Sequence, residues 1–284
     1  MFTLEKGNPM IKVDNLSKRF GNKIALEDIS FDIKEGEIFG FLGPSGAGKT
    51  TTINILTGQL SQDSGKAYIL NKESNRLLPS DFLNIGIMSD TVGFYGKMTV
   101  YKNLQFFAKY HNVSLDKLDV LLKELELFED KDKKAEKLST GMKQRMLLIR
   151  SILHHPKILF LDEPTSGLDP ALSNKVHDIL LNLKNEGTTI FLTTHDMSEA
   201  TKICDRISLL NSGHILEYGS PQEIIDKYSQ QDKAVIRFKN GDSIMVSQAE
   251  AARYLGGSDV ASVHTLENTL EDIFIKISED SKNA

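Results

Sequence analysis

The chain has 284 residues, 40% hydrophobic and 26% charged, and carries a formal net charge of −5 from 39 acidic and 34 basic side chains. That length can bury one large core with a small appendage, and an acidic balance without a long basic block argues against a nucleic-acid-binding surface. The single cysteine, Cys204, excludes an internal disulfide, no secretory or twin-arginine leader is read, and no apolar run approaches the ~20 residues of a membrane-spanning helix, so a cytoplasmic protein is expected.

From Ile11 to Glu37 apolar and polar residues alternate around a break at Gly21-Asn22, which predicts an antiparallel strand pair and a third strand, Ile29 to Ile33. The apolar run Ile38 to Leu42 then meets a glycine-rich turn and a segment with helical spacing at Ile53, Leu56 and Leu60, in the order strand, loop, helix. Over residues 99–154 the spacing is helical, as at Leu118, Leu121, Leu122 and Leu125, and charged turns such as 129–134 interrupt it; a helical insert is expected. Strand-length runs at Lys157 to Leu161, Thr188 to Leu192 and Arg206 to Leu210 alternate with helices, the pattern of a parallel sheet, and Asn211-Ser212-Gly213 turns the chain back into His214 to Glu217. From about Asp232 the texture changes to short strands at Ala234 to Phe238, Ser243 to Val246 and Asp259 to His264. These are joined by a hairpin turn at Asn240-Gly241 and a helix between Gln248 and Leu255, and a last helix aligns Leu270, Ile273, Phe274 and Ile277 on one face. The expected architecture is an α/β phosphate-loop core, 1–230, with an antiparallel β-layer and the helical insert, followed by a small α+β appendix, 231–284.

Gly43-Pro44-Ser45-Gly46-Ala47-Gly48-Lys49-Thr50 matches the phosphate-loop pattern at every fixed position, after an apolar strand and before a helix. Such a loop turns successive backbone N–H groups toward phosphates, and the helix adds its positive dipole end. Lys49 is expected at the β- and γ-phosphates of a nucleotide and Thr50 at Mg²⁺, with Thr51 among the nucleotide contacts. A second buried strand, Ile158 to Leu161, ends in Asp162-Glu163: Asp162 as the metal partner, Glu163 as the group that takes a proton from attacking water. Alone, Asp162-Glu163-Pro164 also fits a solvated strand end.

Between these motifs Leu138-Ser139-Thr140-Gly141-Met142-Lys143-Gln144-Arg145 resembles the ABC signature, with Thr140 and Met142 where a second glycine and a glutamine are usual. With Ser166-Gly167-Leu168-Asp169 as the D-loop and Thr194-His195-Asp196 as the switch histidine, the resemblance to ABC nucleotide-binding domains spans about residues 11–228 in the family's order. It implies an ATPase in which two nucleotide domains close head to tail, Ser139 and the Gly141 backbone of one touching the γ-phosphate held by the other. Asp169 would lie at that same nucleotide interface. A plain serine N-cap on an amphipathic helix explains the octet locally as well. The resemblance makes His195 the γ-phosphate sensor and Phe20 the aromatic that stacks on adenine, although Phe20 also fits the core. Where the family carries a glutamine beside Mg²⁺, alignment of Ile85-Gly86-Ile87-Met88-Ser89 places Asp90, a carboxylate that can still reach Mg²⁺ but adds negative charge beside the phosphates.

No sustained heptad array and only one phosphate loop are present, which sets the chain apart from the DNA-repair and ribosomal members of the class. Phe94, Tyr95, Tyr101, Phe106, Phe107 and Tyr110 cluster where transporter members receive a helix of the permease, although Phe106 and Phe107 equally suit the insert's core. The segment Leu266 to Lys276 is similar to the closing segment of the bacterial branch that exports drugs, antibiotics and lipids through a separate permease. The expected partners are that permease and a second nucleotide-binding subunit, with the chain peripheral on the inner face of the membrane; a soluble ATP-driven regulator without a permease would share every catalytic residue.

Overall fold

The computed structural model describes residues 9–89, 93–228, 233–265 and 268–280. The chain divides into two compact units, 1–216 and 217–284.

The first unit opens with β1 (Ile11–Phe20) and β2 (Lys23–Ile33), paired antiparallel across the Gly21-Asn22 turn. β2 runs unbroken to Ile33, so the expected separate third strand is its second half. The interruption in the pattern is a pair of irregularities where Asn15 and Asp28 take φ of 47° and 53° and Asn15 Nδ2 donates to Asp28 Oδ1 at 2.7 Å. β3 (Ile38–Leu42) is buried at every position, as a strand covered on both faces must be, and leads through the glycine-rich loop into α1 (Lys49–Leu56). Gly58 at φ 70° helps end that helix, leaving Leu60 beyond it against the core. β4 (Ser64–Ile69), β5 (Lys72–Glu73) and β6 (Ile85–Met88) follow, then the helical insert of α2 (Val100–Tyr110), α3 (Leu115–Glu124) and α4 (Thr140–Ile152). The expected leucine face holds: Leu118, Leu122 and Leu125 are fully buried. β7 (Ile158–Asp162), α5 (Pro170–Asn185), β8 (Thr189–Thr194), α6 (Met197–Ile203), β9 (Arg206–Asn211) and β10 (His214–Gly219) alternate as the spacing predicts.

Two sheets result, one in the order β2-β1-β4-β5 and the other β10-β9-β3-β8-β7-β6, with β9, β3, β8, β7 and β6 mutually parallel. Apolar residues of both sheets and of α1 form one core; at its centre Phe191 packs against Phe31, Phe39, Phe41 and Phe160 with ring centroids 5.5 to 6.0 Å apart. Helix starts are set by side chains: Thr99, Ser114, Ser139, Asp169 and Asp196 each accept a backbone N–H of the helix they begin. The phosphate loop, the end of β7 and the end of β8 thereby emerge side by side at the C-terminal edge of the parallel sheet, where α/β proteins place ligands.

The second unit contains α7 (Pro221–Tyr228), β11 (Lys233–Phe238), β12 (Ser243–Ser247), α8 (Gln248–Ala251), β13 (Val260–Thr265) and α9 (Leu270–Asp280). Its strands form an antiparallel sheet, β12-β11-β13, over Ala234, Ile236 and Ala251, and the helix expected up to Leu255 is one α-turn followed by a 3-10 turn at Ala252–Tyr254. α9 packs against α7, and Asn268 Nδ2 donates to Tyr228 O at 2.8 Å, so α7 goes with the appendix although the change of texture lies after it. Among the described residues no helix is long and apolar enough to cross a membrane.

Candidate functional site

The phosphate loop is held open by its own geometry. Gly48 caps α1 at φ 118°, and a Cβ there would stand 2.5 Å from Ala25 O and 2.6 Å from Leu26 Cδ2, so neither the dihedral nor the space admits a side chain. Lys49, only 7% exposed, curls back over the loop: its ammonium donates to Gly43 O at 2.6 Å and Pro44 O at 3.3 Å and lies 3.3 Å from Glu163 Oε1. The loop's carbonyls therefore orient the cation into the cleft. Ser45, Gly46, Thr50 and Thr51 line that cleft, which encloses about 430 Å³, together with Phe20, Asp162 and Glu163.

The carboxylates are placed by the neighbouring strand. Asp162, the last residue of β7, accepts Thr50 Oγ1 at 2.9 Å on one oxygen and Thr193 Oγ1 of β8 at 2.5 Å on the other. Glu163 turns out of β7 at φ 51°, a left-handed conformation costly for a residue with a Cβ, and its N–H is held by Thr193 O at 3.0 Å. Its Oε2 lies 2.7 Å from His195 Nδ1. A carboxylate can only accept, so Nδ1 carries the proton and Nε2 is the nitrogen that can meet a phosphate or water. Lysine, threonine, two carboxylates and histidine thus converge at the ends of α1, β7 and β8, an arrangement whose chemistry suits a nucleoside triphosphate and its metal.

Residues 26–166 match the family model described as ABC transporter. The chain is 36% identical to a fluoroquinolones export ATP-binding protein of Mycobacterium tuberculosis, with 96% of this chain and 94% of that protein covered. It is 32% identical to Nod factor export ATP-binding protein I of Bradyrhizobium diazoefficiens, covering 97% and 98%. The chain belongs to the ABC transporter ATP-binding family. It is accordingly a nucleotide-binding ATPase. A solved structure of an ATP-binding subunit of an ABC transporter, 22% identical, superposes with a TM-score of 0.73 over 95% of this chain and 99% of that one, which places the fold in the same class.

In this ATP-binding subunit Thr50 Oγ1 and Asp162 are two adjacent oxygen donors, which fits Mg²⁺ because that ion takes few protein ligands and fills its octahedron with phosphate oxygens and water. Asp90, the expected third contact, lies outside the described residues. Phe20 is 50% exposed at the end of β1, on the cleft wall rather than in the core, with Lys18 Nζ 5.6 Å from its ring centroid. Ser139 caps α4, accepting Met142 N–H at 3.3 Å, and a Cβ on Gly141 would come within 2.9 Å of Gly167 O, so the signature glycine also serves close packing against the D-loop of its own chain. Asp169 spends its carboxylate on capping α5, accepting Ala171 and Leu172 N–H at 3.0 Å each. Neither Ser139, Gly141 nor Asp169 lines the cleft of this chain; Gln144, Ser166 and Lys23 do. Gln144 and Ser166 stand inside motifs read in the sequence but carried no signal of their own, because which face of α4 meets the cleft is a matter of packing.

A second concavity of about 250 Å³ lies where the insert meets β6, lined by Phe82, Ile87, Phe107, Tyr110, His111, Arg150 and His154. The Arg150 guanidinium lies 4.9 Å from the Phe107 ring centroid and donates to Gly93 O at 2.7 Å. His111 and His154 stack with ring centroids 4.0 Å apart. Burial, reinforced by His111, pushes His154 down to about 4 from its ordinary 6.5. A histidine held neutral in the folded state binds fewer protons than in the unfolded chain, so the stability it permits is complete above about pH 6.5 and is lost as pH falls toward 4. The midpoint of thermal unfolding is expected to fall as the pH is lowered from 7 to 5, and His154→Asn to flatten that fall by roughly 2–4 °C. Identical slopes in the two proteins would remove His154 from the account.

Proposed function

We propose that two nucleotide domains, two copies of this chain or a related pair, close head to tail over two MgATP and drive a separate membrane permease in the export direction. In this reading Thr50 and Asp162 hold Mg²⁺, Lys49 neutralises the β- and γ-phosphates, Glu163 takes the proton of the attacking water, and His195 sits against the γ-phosphate. The α4 N-terminus, with Ser139 and the Gly141 backbone, is left by its own cleft for the partner's γ-phosphate, a role suited to helix-end N–H groups. Closure does the work, since ATP biases the permease only by its preference for the closed pair.

The observation that carries the permease is the aromatic groove of the insert. Phe107 and Tyr110 line the concavity beside β6, Tyr95, Phe106 and Tyr110 are 53%, 48% and 58% exposed, and Tyr95 and Phe107 each meet Phe106 edge to face, an aromatic surface suited to a short helix. Export is supported by relatives matched along both units and named for export of a fluoroquinolone and of Nod factor. The chain would then be peripheral on the cytoplasmic face.

The test is gentle detergent extraction of membranes with an affinity tag on this chain. Recovery of a polytopic membrane protein that stimulates ATP hydrolysis supports the motor. If full ATPase activity is recovered with soluble partners alone, the soluble-regulator reading replaces it.

A further inference from the structure

Two connections stand at the cleft: the β7–α5 loop carries Glu163 and, as the D-loop, leads into α5, and the β8–α6 turn carries His195 against Glu163. Behind them lies a buried carboxylate that the chemistry does not use. Glu199, 3% exposed in the first turn of α6, accepts the Thr165 hydroxyl at 2.8 Å and His177 Nε2–H at 3.0 Å, both on Oε1. Its Oε2 is buried with no hydrogen-bond partner. An acid in a first helical turn ordinarily stays at the surface near the helix end. Here only its backbone N–H takes part in capping, donating to Asp196 at 3.0 Å, while the side chain turns inward.

The three bonded residues belong to the β7–α5 loop and to the two helices that follow the catalytic turns. Thr165 stands between Glu163 and Ser166, His177 lies in the helix that Asp169 caps, and Glu199 lies in the helix that begins just after His195. A carboxylate buried with one oxygen unspent is expensive, and an apolar residue of similar volume would serve stability as well or better. The cost points to geometry. We propose that Glu199 is a positioning residue for ATP hydrolysis: one oxygen ties the Glu163 turn, α5 and α6 into a single register and so sets the 2.7 Å approach of His195 to Glu163. Its bonds do not extend to the phosphate loop, whose lysine is oriented by Gly43 and Pro44, so the device governs turnover and leaves nucleotide affinity to the loop.

The experiment is steady-state ATPase kinetics of the full chain, with kcat normalised to the fraction of molecules that bind nucleotide, so that mere loss of folded protein does not register. Glu199→Leu is expected to lower normalised kcat at least about tenfold with KM for MgATP within about twofold. Glu199→Gln, whose amide oxygen can accept both bonds, recovers kcat to within about threefold of the parent. Thr165→Val removes one half-buried hydroxyl and produces a smaller loss of kcat at unchanged KM, and it decides the matter if the leucine variant does not fold. Unchanged kcat in Thr165→Val, an equal loss in the glutamine and leucine variants, or a rise of KM in step with the fall of kcat would each overturn the assignment.

Discussion

Glu163→Gln is expected to reduce the ATP turnover of this subunit by at least about a hundredfold while MgATP still binds, the range that loss of a positioned general base produces. The amide matches the carboxylate in shape and can still accept from His195 Nδ1, now 2.7 Å from Oε2, so the turn held by Thr193 O should keep its place. What is lost is the capacity to take a proton. Because association of the two nucleotide domains is proposed to need ATP and its release to need hydrolysis, the variant should accumulate as an ATP-loaded pair. Size-exclusion chromatography with and without MgATP, beside a phosphate-release assay, reads both effects. Turnover at the parent rate would show that a group other than Glu163 receives the proton.

Lys49→Ala is expected to act on the other half of the cycle, weakening MgATP binding by about a hundredfold. The ammonium is buried and preset by Gly43 O and Pro44 O, so it meets the phosphates without reorganising. Two charge-assisted hydrogen bonds of ~1.5–3 kcal/mol each are at stake, and every ~1.4 kcal/mol is tenfold in affinity. The substitution also removes the cation 3.3 Å from Glu163 Oε1, so two carboxylates would face the phosphates without it. Calorimetric titration of the parent and the variant measures the loss. Equal affinities with a fallen kcat would mean that the lysine acts only in the transition state. Together the two substitutions separate binding from chemistry, since one is expected to spare what the other removes.

The chemistry-bearing segments were legible because each is a local backbone requirement written in adjacent residues. A phosphate loop needs glycine where φ is positive, as at Gly46 and Gly48, and must lie between a buried strand and a helix; all of that is visible within residues 38–56, whereas the press of Ala25 and Leu26 on Gly48 is not. The helical insert was equally plain, since Leu118, Leu122 and Leu125 repeat at helical spacing. β4 escaped because its first three residues, Ser64, Gly65 and Lys66, are exposed and carry no alternation, and β6 because four residues are too few to show a period. The supposed third strand arose from the irregularity at Asn15 and Asp28, which disturbs the period without ending the strand.

By itself, then, the sequence determined the fold class and singled out Lys49, Thr50, Asp162 and Glu163 as candidates from short-range spacing, and His195 from the resemblance in motif order. Only the tertiary structure decided that Thr193 of β8 clamps Asp162 of β7, that Gln144 rather than Ser139 faces this chain's own cleft, and that Glu199 turns inward to meet Thr165 and His177. A parallel sheet sets strands side by side that are far apart along the chain, and helices choose their inward face by packing. Contacts made that way leave no local period to read.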